Sequence, residues 1–187
     1  MGFLRLIPWS FVVFRLGLGP LLLVCEPWVS GWLLVLLLSF ALLSDIFDGV
    51  IARALRCATP ALRQADSLVD VGFWLCMLGI ALRRTPDLFW ANMPVIAALL
   101  IAEAGCQGLC FARFRRPVAT HTYFAKSWGL VLFGGFVAMF LSPSALAIQI
   151  TCLYGIAVEI EVFIILFIAV RYPVDVKFFL ALPQAKP

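Results

Sequence analysis

Charged residues are scarce in this sequence. Only 13% of its 187 residues are Asp, Glu, Lys or Arg, and there is a single histidine. A soluble domain is typically about 25% charged and about half apolar, whereas 64% of this chain is hydrophobic. Runs such as GWLLVLLLSFALLS belong to apolar segments long enough to cross a bilayer as helices. The composition therefore excludes an ordinary soluble domain and predicts an all-α integral membrane protein.

The sequence also argues against zinc and nucleic acid as partners. The sequence has six cysteines but no C-x-x-C pair, and a structural zinc site needs four clustered ligands. The net charge of +4 is explained by basic residues at the cytoplasmic edges of membrane helices, and no motif that mixes basic and aromatic residues for nucleic-acid binding is present. We therefore expect the lipid bilayer as a partner and no nucleic acid.

Six apolar segments predict six transmembrane helices, with Pro, Gly or charged residues at the breaks between them. Ten Lys and Arg residues lie on the side of the N-terminus and two on the other side, which predicts that both termini are cytoplasmic. The first segment has an internal arginine and no small-residue cleavage pattern, so we expect a retained helix and not a signal peptide. No repeat or second domain is evident, and residues 1–187 are predicted to form one domain. The six segments are 7–25, 31–52, 67–83, 89–111, 121–141 and 146–170.

Four of the ten acidic residues lie within 26 residues: Asp45, Asp48, Asp66 and Asp70. The first two are three residues apart and the last two are four apart, so each pair shares one face of a helix. A helical hairpin would let the two pairs converge. Because unpaired carboxylates at a membrane edge are costly, we expect a cation between them. Oxygen ligands favour Mg²⁺ or Mn²⁺, and two such ions suit phosphoryl displacement. In the alternative interpretation, the aspartates only cap or solubilise helix ends.

The residues between the two pairs fit a phosphate ligand. Gly49 and Ala52 each lie one helical turn beyond an aspartate and leave room close to the backbone. Arg53 offers a guanidinium that can bind a phosphate through two hydrogen bonds.

This stretch resembles the signature of the CDP-alcohol phosphotransferases. Their pattern reads D-x-x-D-G-x-x-A-R, eight residues, Gly, three residues, Asp, three residues, Asp. Leu62 stands where the pattern has its second glycine. The first apolar segment, with Pro8, Arg15 and Pro20, is also similar to the family's first helix. The seven positions in register are Asp45, Asp48, Gly49, Ala52, Arg53, Asp66 and Asp70.

The resemblance implies a transferase that moves a phosphatidyl or other substituted phosphoryl group from a CDP-alcohol to an acceptor alcohol, with release of CMP. In bacteria the donor is usually CDP-diacylglycerol and the pathway is phospholipid biosynthesis. The four aspartates would hold two divalent cations, Mg²⁺ or Mn²⁺, and Asp70 would also act as general base. Gly49, Ala52 and Arg53 would bind the diphosphate, and Thr59 the nucleotide. The site would face the cytoplasm from the bacterial inner membrane, and homodimers are common in the family.

The acceptor is not identified by any motif. Lys126 is an ionisable residue within an apolar segment and favours an anionic acceptor, together with Arg113 and Arg116. In the alternative interpretation, Lys126 extends to the membrane interface. The apolar segments also contain three glutamates, for which we favour structural pairing: Glu103, Glu159 and Glu161.

Two other functions stay open from the sequence. A divalent-cation transporter would also place aspartates in a membrane, but its acids would be spread across the membrane depth and not clustered at one edge. A family member that binds nucleotide without turnover is favoured only by Leu62, since a branched side chain at the glycine position could crowd the nucleotide pocket.

Overall fold

A computed structural model describes residues 7–55, 59–118, 120, 122–173 and 176. Within these ranges the side-chain positions at 48, 49, 52, 53, 60, 61, 63, 64 and 67 are not described. The described residues form seven α-helices and no strand. The helices are α1 (Ile7–Cys25), α2 (Gly31–Ala54), α3 (Pro60–Arg84), α4 (Pro86–Ala91), α5 (Met93–Phe114), α6 (Tyr123–Leu141) and α7 (Ala145–Ile168), and a short 3₁₀ turn (Glu26–Trp28) follows α1.

Polar caps set the starts of several helices. The Ser30 hydroxyl accepts a hydrogen bond from the Leu33 N–H (3.2 Å) at the start of α2. The Ser144 hydroxyl does the same for the Ala147 N–H (3.3 Å) at the start of α7. Each bond satisfies a backbone donor that has no partner inside its own helix. The apolar runs thus form separate helices because short polar breaks supply their caps.

The chain divides into two units, and the first contains α1, α2 and α3 together with Phe140–Ser142. Helix α1 packs against both α2 and α3. Contacts run in the same direction along α1 and α3: a Cβ at Gly19 would lie 3.3 Å from the Phe73 ring, and one at Gly79 would lie 3.1 Å from Leu23. The two helices are therefore parallel, and α2 is the connection that returns the chain between them.

An arginine joins the ends of α1 and α3. The Arg84 Nε donates to the Glu26 carboxylate (2.8 Å), and its Nη2 donates to the carbonyls of Glu26 (2.9 Å) and Val29 (2.5 Å). Both charged side chains are mostly buried. The contact fixes the end of the unit opposite to the predicted aspartate hairpin.

The second unit contains α5, α7, most of α4 and most of α6. Helix α5 packs against α7, and both run in the same direction, since the Cys106 thiol contacts the Glu159 carbonyl (3.4 Å) and Arg113 contacts the last turn of α7. A Cβ at Gly155 would lie 2.8 Å from both Leu99 and Trp128. A larger residue at position 155 would require Leu99 and Trp128 to shift, so the glycine allows these side chains to approach α7 closely.

The prediction of an all-α membrane protein is confirmed over the described residues. Four of the described helical segments are long and apolar enough to cross a membrane: Ile7–Trp28, Met93–Phe114, Tyr123–Leu141 and Ala145–Ile168. The apolar part of α2, Gly31–Phe47, is shorter. Helix α3 begins at Pro60, ahead of the predicted segment 67–83, and α4 precedes α5 where one segment was expected. The six spans, the single domain and the cytoplasmic position of both termini stay predictions.

Candidate functional site

Three of the four predicted aspartates converge in the first unit. Asp45 lies on the second half of α2, and Asp66 and Asp70 lie on the first half of α3. One carboxylate oxygen from each lies within 4.8 Å of the other two. Each side chain keeps about a third of its surface accessible, at 38%, 29% and 30%. The expected convergence of the hairpin is thus present for these three residues, and a ligand can approach them.

A residue of a third helix completes this cluster. The Arg15 guanidinium of α1 donates from Nη1 to Asp45 (2.7 Å) and to Asp70, and from Nη2 to Asp66 (2.5 Å). The Arg15 side chain is only 2% exposed. The sequence predicts divalent metal ions between the carboxylates, and that stays a prediction; the position of the Arg15 guanidinium there is a finding of the structure that the motif does not indicate. The available signal was a lone ionisable residue in an otherwise apolar helix.

The local structure explains why these residues meet. The spacing of four between Asp66 and Asp70 puts both on one face of α3. Arg15 and Gly19 have the same spacing on α1, and the lack of a side chain at Gly19 allows α1 to approach the Phe73 ring closely. The close contact of the two helices lies one turn from the aspartates, so Arg15 is brought directly to them.

Formal charge indicates that this cluster still attracts cations. When ionised, the three carboxylates carry three negative charges and Arg15 carries one positive charge, which leaves a net charge of −2 on the four groups. Oxygen donors of this kind suit hard divalent cations. The residues present therefore fit a divalent metal ion.

Two positions at the start of α3, Thr59 and Leu62, have structural roles. The Thr59 hydroxyl accepts a hydrogen bond from the Leu62 N–H (3.1 Å) and so caps α3. The Leu62 side chain is buried, 5% exposed, against Val12 of α1 with Ala65 and Val69 beside it. Leu62 thus fills space between two helices at the position where the family pattern has glycine.

Four further predicted site positions fall outside what the structure describes. They are the side-chain positions of Asp48, Gly49, Ala52 and Arg53 on α2. Their assignment to metal and diphosphate binding stays a prediction.

The residues predicted to bind the acceptor lie in the second unit. Arg113 donates to the carbonyls of Leu166, Phe167 (2.7 Å) and Ala169 (3.1 Å), at the end of α7, where the helix dipole favours a cation. Arg116 lies over the Tyr172 ring, 5.3 Å from its centre. Lys126 is exposed and lies 5.7 Å from the centre of the Tyr123 ring. Their role in acceptor binding stays a prediction.

The three glutamates of the second unit have polar neighbours. Glu161 accepts a hydrogen bond from the Thr122 hydroxyl (2.7 Å), and Glu103 accepts one from the Gln107 amide (2.9 Å). The backbone carbonyl of Glu159 accepts a hydrogen bond from the Cys106 thiol. Since these contacts are hydrogen bonds with neutral groups, ion pairing of the three glutamates stays a prediction.

Comparison with known families agrees with this geometry. The family model of the CDP-alcohol phosphatidyltransferases matches residues 5–171, which is most of the chain. The chain therefore belongs to the CDP-alcohol phosphatidyltransferase family. Separate comparisons with curated proteins and with solved structures found no match.

Family membership defines the class of reaction. The protein is a membrane transferase that moves a substituted phosphoryl group from a CDP-alcohol to an acceptor alcohol. The family generally uses divalent metals, and the cluster of Asp45, Asp66 and Asp70 is a group of ligands that could hold one. The match also includes Arg15 and the whole aspartate hairpin.

Proposed function

We propose that this protein transfers a phosphatidyl group from CDP-diacylglycerol to an acceptor alcohol in phospholipid biosynthesis, with release of CMP. The convergence of Asp45, Asp66 and Asp70 is the observation that carries the proposal, because it joins both halves of the family motif in one cluster. We infer that Asp48 completes the ligand set for two ions, Mg²⁺ or Mn²⁺. Bound there, the ions would neutralise charge on the attacking and leaving oxygens.

The reaction would proceed by displacement at phosphorus. Asp70 accepts the proton of the acceptor hydroxyl, and the acceptor oxygen forms a bond to the phosphorus that carries diacylglycerol. The bond between this phosphorus and the CMP oxygen breaks, and CMP leaves with the bonding electrons. Asp70 then releases the proton to solvent. Gly49, Ala52 and Arg53 would bind the diphosphate, and Thr59 would lie near the nucleotide.

Position at a membrane edge suits these substrates. Asp45 lies close to the end of the apolar part of α2, Gly31–Phe47, and Asp66 and Asp70 lie in the first half of α3, so the cluster is in the half of the hairpin next to the connecting loop. A lipid-linked diphosphate and a soluble CMP group would meet at such an edge. We propose that this edge faces the cytoplasm of a bacterial inner membrane. Acidic residues that are clustered at one level of the hairpin also argue against a cation transporter, which needs polar groups along its path.

The burial of Leu62 supports an active enzyme over a member that binds nucleotide without turnover. A side chain that is 5% exposed and packed on Val12 fills the core of the unit, so it does not extend into open space where a nucleotide would bind.

For the acceptor, we propose an anionic alcohol. Lys126 and Arg116 are the better candidates to bind it, because each is exposed and its described contact is with an aromatic ring. Arg113 already donates to three carbonyls of α7 and is the weaker candidate. The protein would act as a monomer or a homodimer.

The proposal is tested by CMP release from CDP-diacylglycerol. Purified protein in detergent is supplied with Mn²⁺ or Mg²⁺ and a panel of acceptors that includes glycerol 3-phosphate, inositol phosphate, serine and a phospholipid. We expect metal-dependent release with one acceptor and its loss in Asp66→Asn. Donor binding without release for every acceptor would favour the member without turnover, and absence of donor binding would contradict the proposal.

A further inference from the structure

Arg15 is the largest of the fully buried side chains in the described part of the chain. It is also the only ionisable residue of α1 apart from the cysteine at its last position. A charged group inside an apolar helix is expensive and usually functional. Family membership alone does not say what this arginine does.

The contacts of Arg15 involve the same groups that would bind metal. Its Nη1 and Nη2 atoms donate to Oδ1 of Asp45, Asp66 and Asp70, and these three residues form the one group of candidate metal ligands found among the described residues. A guanidinium and a divalent cation on the same oxygens would repel each other at short distance. A guanidinium that keeps its contacts with these carboxylates therefore weakens the binding of a divalent cation to them.

We propose that Arg15 is a positioning residue: an internal counter-ion that holds the three aspartates together before metal binds and competes with metal for their oxygens. The inference rests on the proposed function only in that these carboxylates hold a divalent cation. Arg15 lies on α1 and contacts aspartates of both α2 and α3, so it keeps the ligands of these two helices close together without metal. Metal binding then requires the guanidinium to give up some of its hydrogen bonds.

Competition and a purely structural role have different consequences. A structural ion pair that metal does not disturb would, when removed, lower the melting temperature equally with and without metal. A competing counter-ion, when removed, would lower the melting temperature without metal and increase the affinity for metal. A tighter ligand stabilises the folded state more at the same concentration. The metal affinity therefore separates the two cases.

The experiment compares wild-type protein with Arg15→Met, both full-length and in detergent. Free Mn²⁺ is measured by electron paramagnetic resonance, and the melting temperature is measured in EDTA and in Mn²⁺. We expect Arg15→Met to bind Mn²⁺ about tenfold more tightly or better, since one positive charge is removed next to the ion. We also expect a lower melting temperature in EDTA and a larger increase on addition of Mn²⁺.

Two further variants keep the result interpretable. Arg15→Gln is neutral but can still donate hydrogen bonds, and it should show the same tighter binding if Arg15→Met does not fold. Arg15→Lys keeps the charge and should retain the wild-type affinity. The matched control is Arg84→Met, which removes the arginine paired with Glu26 at the other end of α3. It should melt lower by the same amount with and without Mn²⁺ and leave the affinity unchanged.

Unchanged or weaker Mn²⁺ binding in both neutral Arg15 variants would overturn the inference. If wild-type protein still released CMP in a metal-dependent manner, the proposed function would stand without it. If wild-type protein bound no Mn²⁺, both the inference and the proposed metal centre would be overturned.

Discussion

Leu62 stands where the family pattern has glycine, and this difference could affect either the function of the site or only its packing. Its side chain is 5% exposed and packs on Val12 of α1. We predict that Leu62→Ala destabilises the protein and that Leu62→Gly, which restores the family's residue, gives no gain in turnover. If Leu62 instead crowded the nucleotide, a smaller side chain would increase turnover at little cost in stability.

The expected magnitude follows from the burial. Leu62→Ala removes three carbon atoms from the packed side chain, and at about 0.8 kcal/mol for each the transfer contribution is about 2.4 kcal/mol. The cavity adds to this, and buried Leu→Ala changes cost about 2–5 kcal/mol. With about 2–4 °C per kcal/mol for a chain of this size, the apparent melting temperature should fall by at least about 5 °C.

The assay is thermal unfolding in detergent followed by tryptophan fluorescence, with CMP release measured on the same samples. Leu68→Ala is the matched control, because Leu68 lies on the same helix and is 67% exposed. We expect a much smaller loss of stability in the control. Two results would refute the reasoning: equal melting temperatures for Leu62→Ala and Leu68→Ala, or faster CMP release by Leu62→Gly than by wild-type protein.

Three further predictions concern other parts of the chain. Arg84→Met removes an ion pair and two hydrogen bonds to carbonyls, and each charge-assisted bond is worth about 1.5–3 kcal/mol. The melting temperature of this variant should be well below that of Arg83→Met, which loses one hydrogen bond at an exposed site. Equal melting temperatures would contradict the stabilising role of the Arg84 contacts. Gly155→Leu should destabilise the protein by at least about 1–3 kcal/mol through overpacking. Gly105→Leu should have little effect on thermal unfolding, because a Cβ at Gly105 has no neighbour within 4 Å. A lower melting temperature for Gly105→Leu than for Gly155→Leu would contradict this prediction. Lys126→Met should raise the KM for an anionic acceptor about tenfold by loss of a charge-assisted bond without lowering the melting temperature, and an unchanged KM would exclude Lys126 from acceptor binding.

The convergence of the aspartates could be predicted from spacing alone. Intervals of three and four residues fix which side chains share a helix face, and the short break around Thr59 joins the end of one helix to the start of the other. The cost of unpaired carboxylates then required a cation. Each of these steps depends on local geometry, which a sequence contains directly.

The identity of one cation could not be predicted in this way. Arg15 reaches the aspartates because α1 packs against both helices of the hairpin, and that packing depends on the close approach at Gly19. Nothing in the spacing of residues on α1 indicates which partner helix its charged face contacts. For the same reason, the sequence shows Leu62 only as a departure from the family motif, and its contact with Val12 is seen only in the structure.

The roles of the second unit's basic residues show a similar limit. Arg113 and Lys126 look alike in sequence as cations near apolar segments. In the structure Arg113 donates to the carbonyls at the end of α7, while Lys126 is exposed beside an aromatic ring. The two residues differ because Arg113 contacts the end of a helix that is distant in sequence, and such a contact leaves no pattern in the residues around it.

The central claim is that the aspartate cluster is a metal-dependent transferase centre. The most direct measurement is CMP release from CDP-diacylglycerol as a function of Mn²⁺ concentration, for wild-type protein, Asp70→Asn and Asp87→Asn with the acceptor that supports turnover. Asp87 is an exposed aspartate in the first turn of α4 and serves as the control. We expect saturable, Mn²⁺-dependent release in wild-type protein and Asp87→Asn, and none in Asp70→Asn. Full release by Asp70→Asn, or release that does not depend on metal, would contradict it.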